Sequence, residues 1–453
     1  MKKIFLPCIF LASAAFIPVP PAADTRYQPI DHPEFSRSQN QFAFRFMKAA
    51  WEEDTSNSNK LVSPMSLYFA LSILYNGAGH ATRDSIGEML QATGIGAMNL
   101  GGMCKQLLMQ LPGEDQAVQL ALANSIWSNR KRTMLQPAFA TLAEDLYYTP
   151  VQSLDFSSRA AAARINSWVD QNSFHRITHL VQRTNPRDLM CLINVLYFKS
   201  KWSVPFELYH TRKASFFRED GSVTKIPFMN RNGGIRTFSD TGFTLVELPY
   251  GGGKSYSMYV IMPEDVLRPL HEFAEAFTAD RLDFALSHMT SQFIDLYLPR
   301  WQYEYSVDHC TEALRRLGMG IAFDSRNADF SYMYKAQPNN EGGGCLSRVI
   351  HKTFITVNEN GTEAAAATDA SPTFGIVRFP RPPRIIRADH PFMYMIVEKR
   401  QNLVLFTGLV NDPDPSAKGV VLQSNPRHPG AGEVHLVTNE EIRRDDSILH
   451  AQP

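Results

Sequence analysis

Glu359-Asn360-Gly361-Thr362-Glu363-Ala364-Ala365-Ala366-Ala367-Thr368 is the stretch on which the rest of the chain turns. Its four consecutive alanines are the strongest helix formers, so propensity by itself makes it a helix. The residues before it argue otherwise. His351-Lys352-Thr353-Phe354-Ile355-Thr356-Val357 is a β-branched run that reads as a strand. Gly361 then supplies a hinge, because glycine adopts positive φ at little cost. Beyond the alanines comes Ser371-Pro372-Thr373-Phe374-Gly375-Ile376-Val377-Arg378-Phe379-Pro380-Arg381-Pro382-Pro383. Its prolines block both continuous helix and internal ladder pairing, so it reads as an exposed extended loop carrying arginines.

A strand, a hinge, a run of small residues and an exposed loop, in that order, resemble the inhibitory hinge of the serpins. The family pattern Glu-x-Gly-Thr-Glu-Ala-Ala-Ala-Ala-Thr matches from Glu359 to Thr368. After the loop, Ile386-Arg387-Ala388-Asp389-His390-Pro391-Phe392-Met393-Tyr394-Met395-Ile396 is similar to the family's C-terminal signature. The resemblance implies an α+β fold with three β-sheets, eight or nine helices and an exposed reactive-centre loop. It implies a secreted suicide inhibitor of serine proteases, monomeric and without a cofactor. The other reading it leaves open is a non-inhibitory serpin acting as carrier, chaperone or storage protein.

Working outward, the chain has 453 residues, 44% of them hydrophobic, enough for one large domain or two to three average ones and for a sizeable core. Lys+Arg and Asp+Glu are both 45, so the formal net charge is zero, which argues against a nucleic-acid partner drawn by bulk charge. No apolar run reaches the length of a membrane span. Lys2-Lys3, the apolar run Ile4 to Ile17 and the segment Pro18 to Ala23 read as a cleaved secretory signal, with cleavage after Ala14 or Ala23. Residues 1–23 are thus expected to be signal, 24–413 the serpin domain, and 414–453 a polar, disordered tail rich in proline, glycine and charge. Cys8 lies in the signal; Cys104, Cys191, Cys310 and Cys345 form no Cys-x-x-Cys motif, and free thiols or one or two bridges are both open.

Along the chain, Phe42, Ala43, Phe46, Met47, Ala50 and Trp51 share one helical face, with the period clear from Ser38. Ser63-Pro64 is an N-cap followed by proline at the first helical position, and Gly77-Ala78-Gly79 stops that helix. Ser63 and Ser66 match serines of the serpin shutter, where the main sheet opens. Ala123 to Trp127 and Asn194 to Trp202 look like strands of that sheet, and the Ile165 to Val169 segment like the helix lying across it. The resemblance places Asn194, together with His351, among the shutter and breach residues, and Trp202 under the top of the sheet. Phe243–Tyr250 and Ser255–Met262 read as a hairpin turned by Gly251-Gly252-Gly253. Gly253-Lys254-Ser255 lacks the first glycine of a phosphate-binding loop, because Leu248 stands there.

No Gly-x-Ser-x-Gly elbow, His-Glu-x-x-His helix or metal-ligand spacing marks an enzyme. Residues of an inserted strand alternate faces. Thr362, Ala364, Ala366 and Thr368 would face the core; Glu363, Ala365, Ala367 and Asp369 would face out. None from Gly361 to Asp369 is bulky or proline, whereas Pro372 would slow the last part of insertion. Counting forward from the hinge glycine puts the cleaved bond at Phe374-Gly375, implying a chymotrypsin-like target. Counting back from Pro391 puts it between Val377 and Pro380. Arg378-Phe379 is preferred, because arginine suits a trypsin-like pocket and Ile376-Val377 gives an extended approach. Asn360-Gly361-Thr362 is the only Asn-x-Ser/Thr sequon. A glycan there is expected to hinder insertion, so the site is expected to be empty or partly filled. Arg130-Lys131-Arg132 is read as a solvated basic turn rather than a polysaccharide site.

Overall fold

Proline at the first helical position and buried Phe35 start the first helix earlier than its apolar period suggests. It runs Pro33–Glu53 (α1) in the computed structural model, which describes residues 32–54, 56–307, 310–336, 344–362 and 382–414. The expected signal, the expected tail beyond Asp414 and residues 363–381 lie outside the described residues. The second helix, Pro64–Gly77 (α2), begins as its cap demands: Ser63 Oγ accepts from the Ser66 N–H at 3.4 Å and Pro64 follows. All fourteen of its residues are buried, which is why its sequence is apolar on every side. Nine α-helices are present among the described residues.

A six-stranded sheet comprises Val118–Asn129 (β1), Val151–Leu154 (β2), Met190–Lys201 (β3), Trp301–Val307 (β4), Arg348–Asn358 (β5) and Gly361–Thr362 (β6). Their spatial order is β4-β5-β6-β3-β1-β2. A nine-stranded sheet is carried through Val223–Ser239, a 17-residue strand that pairs with three neighbours along its length. It includes the expected hairpin, as Phe243–Pro249 paired to Tyr256–Pro263. A two-stranded sheet joins Thr133–Leu135 to Tyr334–Ala336. The fold is thus the α+β, three-sheet architecture the sequence implied.

Arg159–Asn172 (α3) lies across the outer face of the six-stranded sheet. Its Ile165 and Val169 pack with Trp127, Ile193 and Val195. The opposite face rests on the main core with α1 and α2. The alternating burial of β5 follows from this double cover: Val349, His351, Thr353, Ile355 and Val357 point to the core. Cys104, Cys191, Cys310 and Cys345 are all free and buried, which settles the thiol question in favour of core packing.

Candidate functional site: an opening in the six-stranded sheet

The register defines the site. Arg348–Lys352 of β5 pairs in parallel with Cys191–Val195 of β3. At the other end, β6 is wedged between the same two strands: Thr362 pairs with both Val357 and Ser200, and Gly361 with Asn358 and Lys201. Between these ends, no described residue forms a ladder with Thr353–Thr356 or with Leu196–Lys199 across the space between β5 and β3.

The closed end is held by side chains from four elements, α2, β1, β3 and β5. His351 and Asn194 sit opposite each other in the β3–β5 register. His351 Nε2 accepts from the Ser63 backbone N–H at 2.9 Å. A nitrogen that accepts is unprotonated, so Nδ1 carries the proton and donates to Asn194 Oδ1 at 2.7 Å. Asn194 Nδ2 donates to Asn124 Oδ1 at 2.6 Å and to Ser66 Oγ, and Ser63 Oγ donates to the Leu405 carbonyl at 2.8 Å. All five residues are buried. Burial lowers the His351 pKa from 6.5 to about 3, because desolvation penalises the imidazolium. The structure brings Ser63, Ser66, Asn194 and His351 together in one hydrogen-bonded cluster. It adds Asn124, whose only sequence signal is its place inside the Ala123–Trp127 strand.

At the open end, Trp202 lies just past β3, 3% exposed, stacked on Tyr250 at 4.5 Å and 14°. Its Nε1 donates to the Asn358 carbonyl (2.9 Å) and its backbone N–H to the Asn360 carbonyl (2.8 Å). The Tyr250 hydroxyl bonds Thr362 Oγ1 at 2.6 Å, and Thr362 is 1% exposed, facing the core. Glu359 is buried; its Oε1 accepts from Thr211 Oγ1 at 2.5 Å and from Arg300 Nε at 2.8 Å, with a second Arg300 nitrogen in contact. Gly361 has φ 146°, and a Cβ there would lie 2.0 Å from the Ser200 carbonyl oxygen. Sequence reasoning found Trp202, Glu359, Gly361 and Thr362 but missed Tyr250, Arg300 and Thr211. None of these three carries a local signal for the site.

Over the outer face of the gap lies the turn that follows α3. Phe174 and His175 both adopt positive φ, 50° and 62°, a conformation uncommon for residues with a Cβ. His175 holds it, with its N–H on the Asp170 carbonyl (2.9 Å) and its ring on the Asp170 carboxylate (2.8 Å). Phe174 packs on Tyr197 of β3 at 4.6 Å, and the Arg176 guanidinium lies 6.0 Å from the Phe354 ring of β5. One turn thus clasps both strands that flank the opening. Lys131 of the basic turn is paired to Asp155 at 2.9 Å. Among the described residues no group of three or more His, Cys, Asp or Glu is arranged to hold a metal ion. Among the described residues no helix is long and apolar enough to cross a membrane.

The hinge residues Glu363, Ala364, Ala365, Ala366, Ala367 and Thr368 fall outside the described residues. So do both reactive-bond candidates, Arg378-Phe379 and Phe374-Gly375.

Among the described residues, the main sheet joins a buried polar cluster at one end of the β3–β5 pair to the two-residue strand β6 at the other. In sequence, a family model described as "Serpin (serine protease inhibitor)" matches residues 37–413. Serpin-Z1B of Triticum aestivum is 32% identical over 393 residues, covering 83% of this chain and 95% of that protein. The chain belongs to the serpin family. Among solved structures, the thermophilic serpin tengpin in its native state superposes with a TM-score of 0.77 at 26% identity, covering 85% of this chain and 95% of tengpin. Thyroxine-binding globulin in complex with thyroxine is also similar, with a TM-score of 0.73 at 25% identity, covering 84% of this chain and all of that one.

Proposed function

We propose that this chain is a secreted, monomeric suicide inhibitor of a trypsin-like serine protease, and not an enzyme. The observation that carries the reading is the wedge: Gly361–Thr362 already occupies the top of an opening that a longer strand would fill. In this reading the protease serine attacks the Arg378 carbonyl and the bond to Phe379 breaks. The acylated protease then stays attached to the strand that moves. Loop insertion as strand addition, driven by stored strain, is a general serpin mechanism.

Extending the register from Thr362 gives the path. Glu363 falls between Lys199 and Thr356, Ala364 between Phe198 and Ile355, Ala365 between Tyr197 and Phe354, and Ala366 between Leu196 and Thr353. These four span the stretch across which no described residue pairs. From Ala367 onward the strand displaces the parallel pairs between Cys191–Val195 and Arg348–Lys352. Thr368 arrives between Asn194 and His351, where its hydroxyl can take over their hydrogen bond. Ala365 passes beneath the Phe174–Arg176 turn, so that position needs a small side chain.

The test is incubation with trypsin-like and chymotrypsin-like proteases, denaturing electrophoresis, and mass analysis of the released C-terminal peptide. A denaturant-resistant complex with a peptide starting at Phe379 supports inhibition at Arg378. A peptide starting at Gly375 moves the target to a chymotrypsin-like protease. The similarity to thyroxine-binding globulin favours the alternative of a non-inhibitory carrier, for which cleavage without any complex is the expected result.

A further inference from the structure

We infer that Asn360 is an N-glycan acceptor whose sugar stands outside the sheet, on a turn that loop insertion does not move. This rests on the secreted, inhibitory reading above. A sugar at the hinge hinders insertion only if Asn360 belongs to the part of the strand that travels, and the register puts it at the fixed end. The pair Asn358–Gly361 closes the turn formed by Glu359 and Asn360 before any further residue enters the sheet. The turn is also pinned from outside. The Trp202 N–H donates to the Asn360 carbonyl (2.8 Å) and the Phe206 N–H to the Glu359 carbonyl (2.9 Å). Trp202 Nε1 holds the Asn358 carbonyl, and Thr211 and Arg300 hold the Glu359 carboxylate. Residues added after Thr362 lengthen β6 downward, away from all these anchors.

The three sequon residues differ in what they offer. Asn360 is partly exposed. Thr362 is 1% exposed with its hydroxyl on Tyr250, and Gly361 lies against the Ser200 carbonyl. The threonine hydroxyl that a glycosyltransferase must read is therefore unreachable once β6 has paired, so transfer precedes folding of the hinge. The donor is a lipid pyrophosphate-linked oligosaccharide. Its sugar C1–oxygen bond breaks, a C1–Nδ2 bond forms, the pyrophosphate leaves with the electron pair, and the carboxamide gives up one proton. After folding, the partly exposed Asn360 side chain carries the sugar into solvent.

The experiment uses the full chain secreted from eukaryotic cells. The mass of the peptide containing Asn360 is read before and after glycan removal, and the protein is compared with Asn360→Gln. Expected are an occupied Asn360, thermal midpoints of the two intact forms within about 2 °C, and an equal rise in both on loop cleavage. A bare Asn360 in secreted protein overturns the inference, as does a clearly lower midpoint for the glycosylated form, or a rise on cleavage seen only in Asn360→Gln. Enzymatically deglycosylated protein supplies the same comparison if Asn360→Gln is poorly secreted. If neither form rises on cleavage, the inhibitory reading fails, and the glycan site stands or falls on occupancy and the matched intact midpoints. Retention of the chain inside the cells overturns the secreted reading and the site with it.

Discussion

His351 has used both ring nitrogens before any proton is added. The Ser63 N–H occupies Nε2 and Asn194 Oδ1 takes the Nδ1 proton, so a second proton has no acceptor. The imidazole titrates near 6.5 in the unfolded chain and near 3 in the folded one. Between those values the unfolded chain binds the proton and the folded chain does not, so stability rises with pH across that window. Acidification should therefore begin to weaken the native state below about pH 6.5, with the contribution gone by about pH 3. Denaturation midpoints at pH 7 and pH 4.5 check this: His351→Gln should lose less on acidification than the natural protein, and equal losses would contradict it. Glu359 offers a second residue-level test. Glu359→Gln keeps the shape but removes the charge that binds Arg300 and Thr211. Because Arg300 is 38% exposed, the expected cost is about 1–2 kcal/mol, below the ~3–5 kcal/mol of a fully buried pair. Urea denaturation reads it directly.

Two short elements decide how far the sheet is open, β6 and the turn after α3. Gly361 is required in β6 both by its φ of 146° and by the Ser200 carbonyl 2.0 Å from where a Cβ would stand. Gly361→Ala should expel the wedge at a cost of about 1–3 kcal/mol. It should also change the fluorescence of Trp202, which would lose its bonds to Asn358 and Asn360; an unaltered spectrum would refute the role given to β6. The turn acts in the opposite sense, since it must lift before Ala365 can pass between Tyr197 and Phe354. Removing the Phe174–Tyr197 contact with Phe174→Ala removes about 1 kcal/mol of aromatic packing, so insertion after cleavage should run roughly fivefold faster in stopped-flow fluorescence. An unchanged rate would take the turn off the path. The legibility of these elements follows range. The N-cap at Ser63, the Phe243–Pro249 hairpin and the alternation of β5 are local patterns and could be read from neighbours in the chain. The lock was legible only because family resemblance tied Ser63, Ser66, Asn194 and His351 together. Asn124, Tyr250, Thr211 and Arg300 meet their partners across 59 to 148 positions, and no periodicity encodes such a meeting. The clasp was invisible because positive φ at Phe174 and His175 runs against residue preference.

At the scale of the whole molecule, the described residues leave a stretch between β3 and β5 with no ladder across it. Thr353–Thr356 and Leu196–Lys199 flank that stretch, and in the sequence a run of mostly small residues follows Thr362. Completing the strand would add ladder bonds on both sides and bury alanine and threonine in the core face, each bond worth about 1 kcal/mol net. In the inhibitory reading proposed above, the uncut loop holds the folded protein short of its most stable arrangement, and cutting the loop releases it. The direct measurement is thermal unfolding of intact protein and of protein cleaved in the loop, side by side. Insertion predicts a rise in the unfolding midpoint of at least about 10 °C on cleavage. A midpoint that does not move would show that the opening between β3 and β5 receives no strand, and would contradict the account.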